Sequence, residues 1–208
     1  MSWGVLFDRA ADHRVTLDPV REEFARRRER DRTPADGDPG GSGATDGEPG
    51  ATDADPGPER VVADADVLAA DLLVGGAARD ALDDVRAHSW VALVASDALL
   101  DDAEAVIAEL ATPGLAADWR ERVDREREPC SHPAGDHPAL ASAARGGAMH
   151  LLTFDEDARS ASAGAAIRGH VETSVKHPRA FAALFDASSL YAAVADGEYP
   201  GPDRDPRA

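Results

Sequence analysis

The sequence predicts an α/β fold built on a parallel sheet, and three observations favour this prediction. Short apolar runs of strand length alternate with longer segments of helical periodicity. Asp64 closes one of the apolar runs and Asp155 directly follows another, as is typical of sites at the carboxyl ends of parallel strands. The length of 208 residues allows one domain of ordinary size with extensions. Strands that alternate with helices imply right-handed crossovers, so helices should cover both faces of the sheet.

Four apolar runs are predicted to be strands, and helical patterns separate them. The predicted strands are VVAD (61–64), VALVAS (91–96), MHLLTF (149–154) and VETSV (171–175). The predicted helices cover 66–87 with a break at Gly75-Gly76, 97–110, 115–127, 138–146 and 178–195. A sheet of four strands is small but sufficient for this architecture.

Three further segments flank this body, which spans residues 61–195. Residues 33–60 are rich in Gly, Pro, Asp, Thr and Ala and contain no large apolar side chain, which predicts a disordered acidic linker. Residues 1–32 are predicted to be an arm with one short helix that starts near Asp18-Pro19. Two interpretations of the arm stay open. It is either a loosely docked tail or an arm that binds RNA or a partner, and the six arginines between Arg21 and Arg32 favour the second interpretation. Residues 196–208 are predicted to be a disordered tail.

The composition points to a salt-adapted protein. The net charge is −18, and Lys176 is the only lysine. Such acidity suits a halophile, because molar salt reduces the Debye length to about 3 Å and screens the repulsion. In high salt the charge neither supports nor excludes a nucleic-acid substrate.

The compartment is predicted to be the cytoplasm. Cys130 is the only cysteine, so no intramolecular disulfide forms and a reducing compartment is expected. The N-terminus has no apolar run of signal-peptide length, and no stretch reaches the roughly 18 apolar residues of a membrane helix. We therefore expect no membrane association.

Four acidic residues are the candidate functional groups. Asp64 and Asp155 follow predicted strands, Asp136 opens a predicted helix, and Asp102 lies at the border of the apolar stripe of the helix 97–110. A cluster of carboxylates repels itself unless a cation neutralises it. Carboxylates and water suit Mg²⁺ or Mn²⁺, which activate water and stabilise the oxygens of a phosphoryl displacement. The sequence thus predicts metal-dependent phosphodiester chemistry.

The acidic segments also resemble the conserved blocks of PIN-domain nucleases. The first block is VVADADVLAADLL, the second is VASDALLDDAEAVIAEL, and the third and fourth lie in DHPALASAARGGAMHLLTFDED. The order and spacing match over about residues 61–157. The sequence departs from the family in having Asp102 where Glu is usual, Asp66 where Asn, Ser or Thr is usual, and Phe154 where Gly is frequent.

The resemblance implies a three-layer α/β/α fold with a four- or five-stranded parallel sheet, and Mg²⁺- or Mn²⁺-dependent cleavage of RNA. It assigns the catalytic and metal-binding roles to Asp64, Asp102, Asp136 and Asp155. Thr153 matches the polar residue before the last acid. With Asp66 and His137, Thr153 is a candidate for contact with substrate. Members of the family are often toxins, so an antitoxin or other protein partner and a homodimer are also expected.

Alternative functions stay open at this point. A PIN-like fold that lacks activity can serve as a binding or scaffold protein. Asp64-Ala-Asp66 also fits a haloacid-dehalogenase-like phosphatase, but that class needs a later lysine and acid pair, and Lys176 comes in the wrong order. Cys130, His132 and His137 have no zinc-site spacing, and Ser96 has neither a nucleophile elbow nor evident catalytic partners.

Overall fold

A computed structural model of the chain describes residues 1–32, 54–160 and 173–208. Five strands pair in parallel to form one sheet in the order β3-β2-β1-β4-β5. The strands are β1 (Gly57–Ala63), β2 (Ala92–Ser96), β3 (Glu128–Cys130), β4 (Ala148–Leu152) and β5 (Ser174–Lys176). The fold is three-layer α/β/α, which confirms the predicted fold class.

The described residues contain nine helices. They are α1 (Trp3–Ala11), α2 (Leu17–Arg32), α3 (Ala65–Leu73), α4 (Ala77–Arg86), α5 (Asp97–Leu110), α6 (Pro113–Asp124), α7 (Pro138–Arg145), α8 (Pro178–Leu184) and α9 (Ala187–Val194). None of the helices in these described ranges combines the length and apolarity that a bilayer crossing requires.

Local sequence explains where the helices begin. Ser96 precedes α5, and its hydroxyl accepts a hydrogen bond from the Leu99 N–H at 3.2 Å. Thr112 caps α6 in the same way through the Leu115 N–H, and Pro113 occupies the first helical position, where a missing N–H costs nothing. The break predicted at Gly75-Gly76 separates α3 from α4, because both glycines adopt positive φ.

The order of the strands creates a switch point beside β1. From β1 the chain moves outward to β2 and β3, then crosses to the other side of β1 to form β4 and β5. The connections after β1 and β4 therefore diverge from neighbouring strands, which opens a crevice at their carboxyl ends. This crevice is where an α/β sheet places its ligands.

The N-terminal arm is part of the core, which differs from the interpretation as a loosely docked tail. Helix α1, which the sequence analysis did not predict, buries Trp3 and Leu6. Helix α2 buries Val20 and Phe24 and packs on α3 and α5. The Arg79 guanidinium also lies over the ring of Phe7, 3.3 Å from its centroid. These contacts bind both helices to the body.

The C-terminal segment makes specific contacts, although residues 196–208 were predicted to be disordered. The Tyr199 hydroxyl lies 2.7 Å from Nε2 of His88. The Ser89 N–H donates to Oδ1 of Asp203 at 2.7 Å. The carbonyl of Arg207 accepts a hydrogen bond from the Gly4 N–H at 2.9 Å, so this segment joins α1 to the body.

Several predicted boundaries also change. Strand β3 was missed because it is three residues long and contains Pro129, which only an edge strand tolerates. Strand β1 begins at Gly57, inside the predicted linker, while linker residues 33–53 lie outside the described part of the chain. The helix predicted over 178–195 is two helices, α8 and α9, with a break at Phe185 and Asp186.

Candidate functional site

The switch point carries two of the four predicted acids. Asp64 directly follows β1, and Asp155 lies three residues beyond the end of β4. These strands are neighbours in register, with Ala63 opposite Leu152. Because parallel strands end at the same edge, the two carboxylates meet in one crevice.

Asp64 is held rigidly. Its side chain is buried, and its Oδ1 accepts a hydrogen bond from the Ala65 N–H at 2.8 Å as the cap of α3. Its Oδ2 accepts a hydrogen bond from the hydroxyl of buried Thr153 at 3.0 Å. The Thr153 hydroxyl in turn accepts a hydrogen bond from the Asp155 N–H at 3.1 Å. Thr153 thus fixes the relative positions of the two acids, whereas its predicted contact with substrate stays a prediction.

Asp155 is held in its ionised form. Its Oδ1 accepts hydrogen bonds from the N–H groups of Asp157 at 2.8 Å and Ala158 at 3.3 Å. Partial burial alone would raise the pKa of Asp155. The two N–H donors and the charge of Arg28 outweigh this effect, so the pKa is lowered.

Arg28 of helix α2 joins the two carboxylates. Its Nη1 lies 2.6 Å from Oδ2 of Asp155, and its Nη2 lies 3.6 Å from Oδ2 of Asp64. One guanidinium therefore provides positive charge to both acids of the crevice. Sequence reasoning did not identify Arg28, because only the concentration of arginines in α2 was visible and no spacing distinguishes one of them.

Asp66 is the third acid at this edge. It is buried in the first turn of α3, and its Oδ2 accepts the Phe154 N–H at 3.2 Å. Its Oδ1 is buried and has no hydrogen-bond partner among the residues that the structure describes. Burial, and next the negative charge of Asp64, raise the pKa of Asp66 well above its usual value. A buried carboxyl oxygen without a donor is costly and indicates a site built to receive a cation or a proton.

The crevice opens into a cleft of about 640 Å³ between α2 and the carboxyl ends of the strands. Its lining is predominantly acidic, with two arginines and an apolar patch from Phe24 and Ala25. The lining residues are Asp18, Arg21, Glu22, Phe24, Ala25, Arg28, Asp66, Asp155, Glu156 and Asp157. This charge distribution favours a cationic ligand near Asp66 and Asp155.

In the described part of the chain, Asp136 and His137 lie on a different connection from this cluster. Asp136 and His137 are exposed in the turn before α7, and this turn follows edge strand β3, which β2 separates from β1. No hydrogen bond or ion pair in the described part of the chain links Asp136 to Asp64 or Asp155. Asp102 lies on α5 with intermediate exposure. The structure thus brings together Asp64, Asp66, Thr153 and Asp155.

The site contains carboxylate oxygens suited to a divalent cation, and Arg28 offsets part of their negative charge. Within residues 1–32, 54–160 and 173–208, no group of three or more His, Cys, Asp or Glu side chains is close enough to hold a metal ion. The carboxylate oxygens of Asp64, Asp66 and Asp155 are nevertheless the hard ligands that Mg²⁺ and Mn²⁺ prefer. The orphaned Oδ1 of Asp66 is the observation that fits such an ion.

A second polar cluster lies at the ends of β2 and β3. Nε2 of His132 is 3.0 Å from the hydroxyl of Ser96, a partner that the sequence did not reveal. The Ser96 hydroxyl is buried and also accepts hydrogen bonds from the Leu99 N–H and the Ser142 hydroxyl. A hydroxyl with this many partners serves as a helix cap and is poorly placed to attack a substrate.

Lys176 is engaged away from the acidic crevice. Its ammonium lies 3.0 Å from Nδ1 of His150 on the neighbouring strand. Burial, and next the charge of Lys176, lower the pKa of His150 to about 4, so the neutral imidazole accepts this hydrogen bond. The contact gives no support to Lys176 as the lysine of a phosphatase site.

These features define the protein as a three-layer α/β protein with an acidic site at the switch point of its sheet. Residues 55–207 match a family of unknown function, DUF7384, and the chain belongs to that family. Arg28 lies outside the matched residues. Comparisons with curated proteins and with solved structures found no significant match. The function is therefore argued from the site.

Proposed function

We propose that the protein is a PIN-like, Mg²⁺- or Mn²⁺-dependent ribonuclease that cleaves phosphodiester bonds in RNA. The observation that carries this proposal is the pairing of Asp64 and Asp155 around one positive charge at the switch point. The order of the acidic blocks in the sequence supports the same proposal. The protein is proposed to act in the cytoplasm of a halophile.

Each residue of the crevice has a defined part in this proposal. Asp64 and Asp155 would hold the metal, and buried Asp66 would supply a third oxygen or hold a proton beside it. Thr153 holds Asp64 and Asp155 in fixed relative positions through its two hydrogen bonds. A bound Mg²⁺ or Mn²⁺ would supply an activated water and stabilise the attacking and leaving oxygens of the phosphoryl displacement.

Asp102, Asp136 and His137 enter the proposal only through the resemblance. The first two would be further metal or water ligands, and His137 would contact RNA phosphate. An antitoxin or other protein partner and a homodimer are likewise expectations from the resemblance. If the protein is a toxin, its expression without a partner should arrest growth.

The test is RNA cleavage in molar KCl with Mn²⁺. We expect Asp64→Asn and Asp155→Asn each to lower the rate by about 100-fold or more, because each removes a charged ligand. Asp101→Asn is the matched control: Asp101 is exposed on α5 and pairs with Arg120, so the charge change is the same outside the crevice. Equal rates for the parent and the two crevice variants would refute the catalytic assignment.

A second candidate function follows from Arg28 itself. Because this arginine already offsets part of the negative charge of the crevice, Asp64 and Asp155 have a counter-ion without a metal, which fits a binding or scaffold protein. A scaffold predicts no Mn²⁺ binding at Asp64 and Asp155, whereas the nuclease predicts it. Calorimetric titration with Mn²⁺ distinguishes the two.

A further inference from the structure

The oxygens of the crevice divide into two sets. The Oδ1 atoms of Asp64 and Asp155 both accept hydrogen bonds from backbone N–H groups and are committed to them. The Oδ2 atoms of the same residues both face the guanidinium of Arg28. Oδ2 of Asp64 also accepts a hydrogen bond from the Thr153 hydroxyl. A divalent cation that binds the Oδ2 atoms of Asp64 and Asp155 would compete with Arg28 for them.

The backbone of Arg28 is fixed by the packing of α2, whereas its guanidinium lies at the boundary between the crevice and solvent. Val20 and Phe24 are buried and hold α2 against the body. The Arg28 side chain is 36% exposed, so its guanidinium borders solvent. The charged group can leave the crevice by side-chain rotation while α2 stays docked.

The guanidinium satisfies the crevice incompletely. It contacts Asp64 and Asp155, but within the described ranges Oδ1 of buried Asp66 has no hydrogen-bond partner. A divalent cation carries twice the charge and accepts several oxygen ligands, so it neutralises this edge more fully.

From this geometry we propose that Arg28 is a built-in counter-ion that competes with a divalent cation for Asp64 and Asp155. In the metal-free protein it holds the two carboxylates together, and it withdraws to solvent when the cation binds. This inference rests on the proposed metal site and adds a regulatory contact from residues outside the family match. The apparent metal affinity is lowered by the fraction of molecules in which Arg28 occupies the crevice.

The experiment measures Mn²⁺ binding to the full chain by titration calorimetry at constant ionic strength. We expect Arg28→Gln to bind Mn²⁺ about tenfold more tightly than the parent, because the competing charge is gone. Arg30→Gln is the matched control on the same helix: Arg30 pairs with Glu23, which keeps its second partner Arg26. This control should bind Mn²⁺ as the parent does.

Thermal unfolding provides a second readout. In EDTA, Arg28→Gln should unfold at a lower temperature than the parent, because Asp64 and Asp155 lose their counter-ion. Saturating Mn²⁺ should remove this difference. Arg28→Lys keeps the charge and should remain nearer to the parent in both conditions.

The outcomes separate the inference from the proposed function. Mn²⁺ affinity that is equal in the parent and Arg28→Gln, or weaker in the variant, overturns the counter-ion inference and leaves the metal site standing. Binding in neither protein overturns both. If Arg28→Gln does not fold, NMR of the Arg28 side chain in the parent decides: signals unchanged by saturating Mg²⁺ overturn the inference.

Discussion

At the scale of single residues, Asp66 combines burial with incomplete hydrogen bonding. Its Oδ2 accepts a hydrogen bond from the Phe154 N–H, but its Oδ1 has no donor among the described residues. The carboxylate of Asp64 also lies close by. Ionising such a group costs free energy, and the raised pKa of Asp66 expresses this cost. A buried carboxyl with a raised pKa beside a second carboxyl is typical of functional sites, where stability is given up for chemistry.

We therefore predict that Asp66→Asn stabilises the metal-free protein by about 1 kcal/mol and weakens Mn²⁺ binding by about tenfold. The amide is neutral, so the cost of a charge beside Asp64 disappears together with a potential ligand. Urea unfolding in EDTA and calorimetric titration measure the two effects. Asp101→Asn should change neither, and a destabilised Asp66→Asn with unchanged metal affinity would show that Asp66 is structural.

At the scale of elements, helix α2 is the unexpected part of the site. Its charged sequence and thin apolar edge predict weak docking, yet Val20 and Phe24 are buried. The helix also buries Glu23, which pairs with Arg26 at 2.9 Å and Arg30 at 3.2 Å. Because these contacts fix the course of α2, they also determine which arginine reaches the crevice.

Truncation of Phe24 tests whether α2 is part of the core. Phe24→Ala should lower the free energy of unfolding by about 3 kcal/mol, since it removes a buried ring and leaves a cavity. Leu184→Ala on α8 is the control, because Leu184 is 74% exposed and its loss should cost less than about 0.5 kcal/mol. A cost for Phe24→Ala as small as that of the control would support the loosely docked tail.

At the scale of the whole molecule, the net charge of −18 dominates the surface. Arginines relieve part of the repulsion locally, as Arg120 does with Asp97, Asp101, Glu104 and Asp124. Such exposed pairs contribute little individually, so most of the repulsion must be screened by dissolved ions.

Stability should therefore rise with salt. We predict that the thermal unfolding midpoint increases between 0.1 M and 2 M KCl, as the Debye length falls from about 10 Å to below about 3 Å. A variant in which exposed Asp8, Asp80 and Glu109 are all replaced by Lys provides the control. Each replacement changes the charge by two, so the net charge becomes −12 and the response to salt should be shallower. An identical response in both proteins would contradict the screening argument.

The sequence by itself determined the fold class and singled out four of the side chains that meet in the crevice, Asp64, Asp66, Thr153 and Asp155, but not Arg28. The alternation of apolar runs and helical patterns requires a parallel sheet, and the acids that follow β1 and β4 come directly after those runs. Asp64, Thr153 and Asp155 could be predicted because a strand fixes where its next residues emerge. The same local rules did not predict β3, whose pairing depends on the edge of a sheet formed by distant residues.

Only the tertiary structure decided which charges meet. Arg28 and Asp155 form an ion pair although more than a hundred residues separate them in the sequence. Helix α1 and the C-terminal segment, at opposite ends of the chain, are also in contact. Such contacts depend on the docking angle of whole helices, which arises from the packing of buried side chains such as Phe24 against several elements at once. Periodicity and spacing describe one element at a time, so they contain no information on which of six arginines will lie beside a given carboxylate.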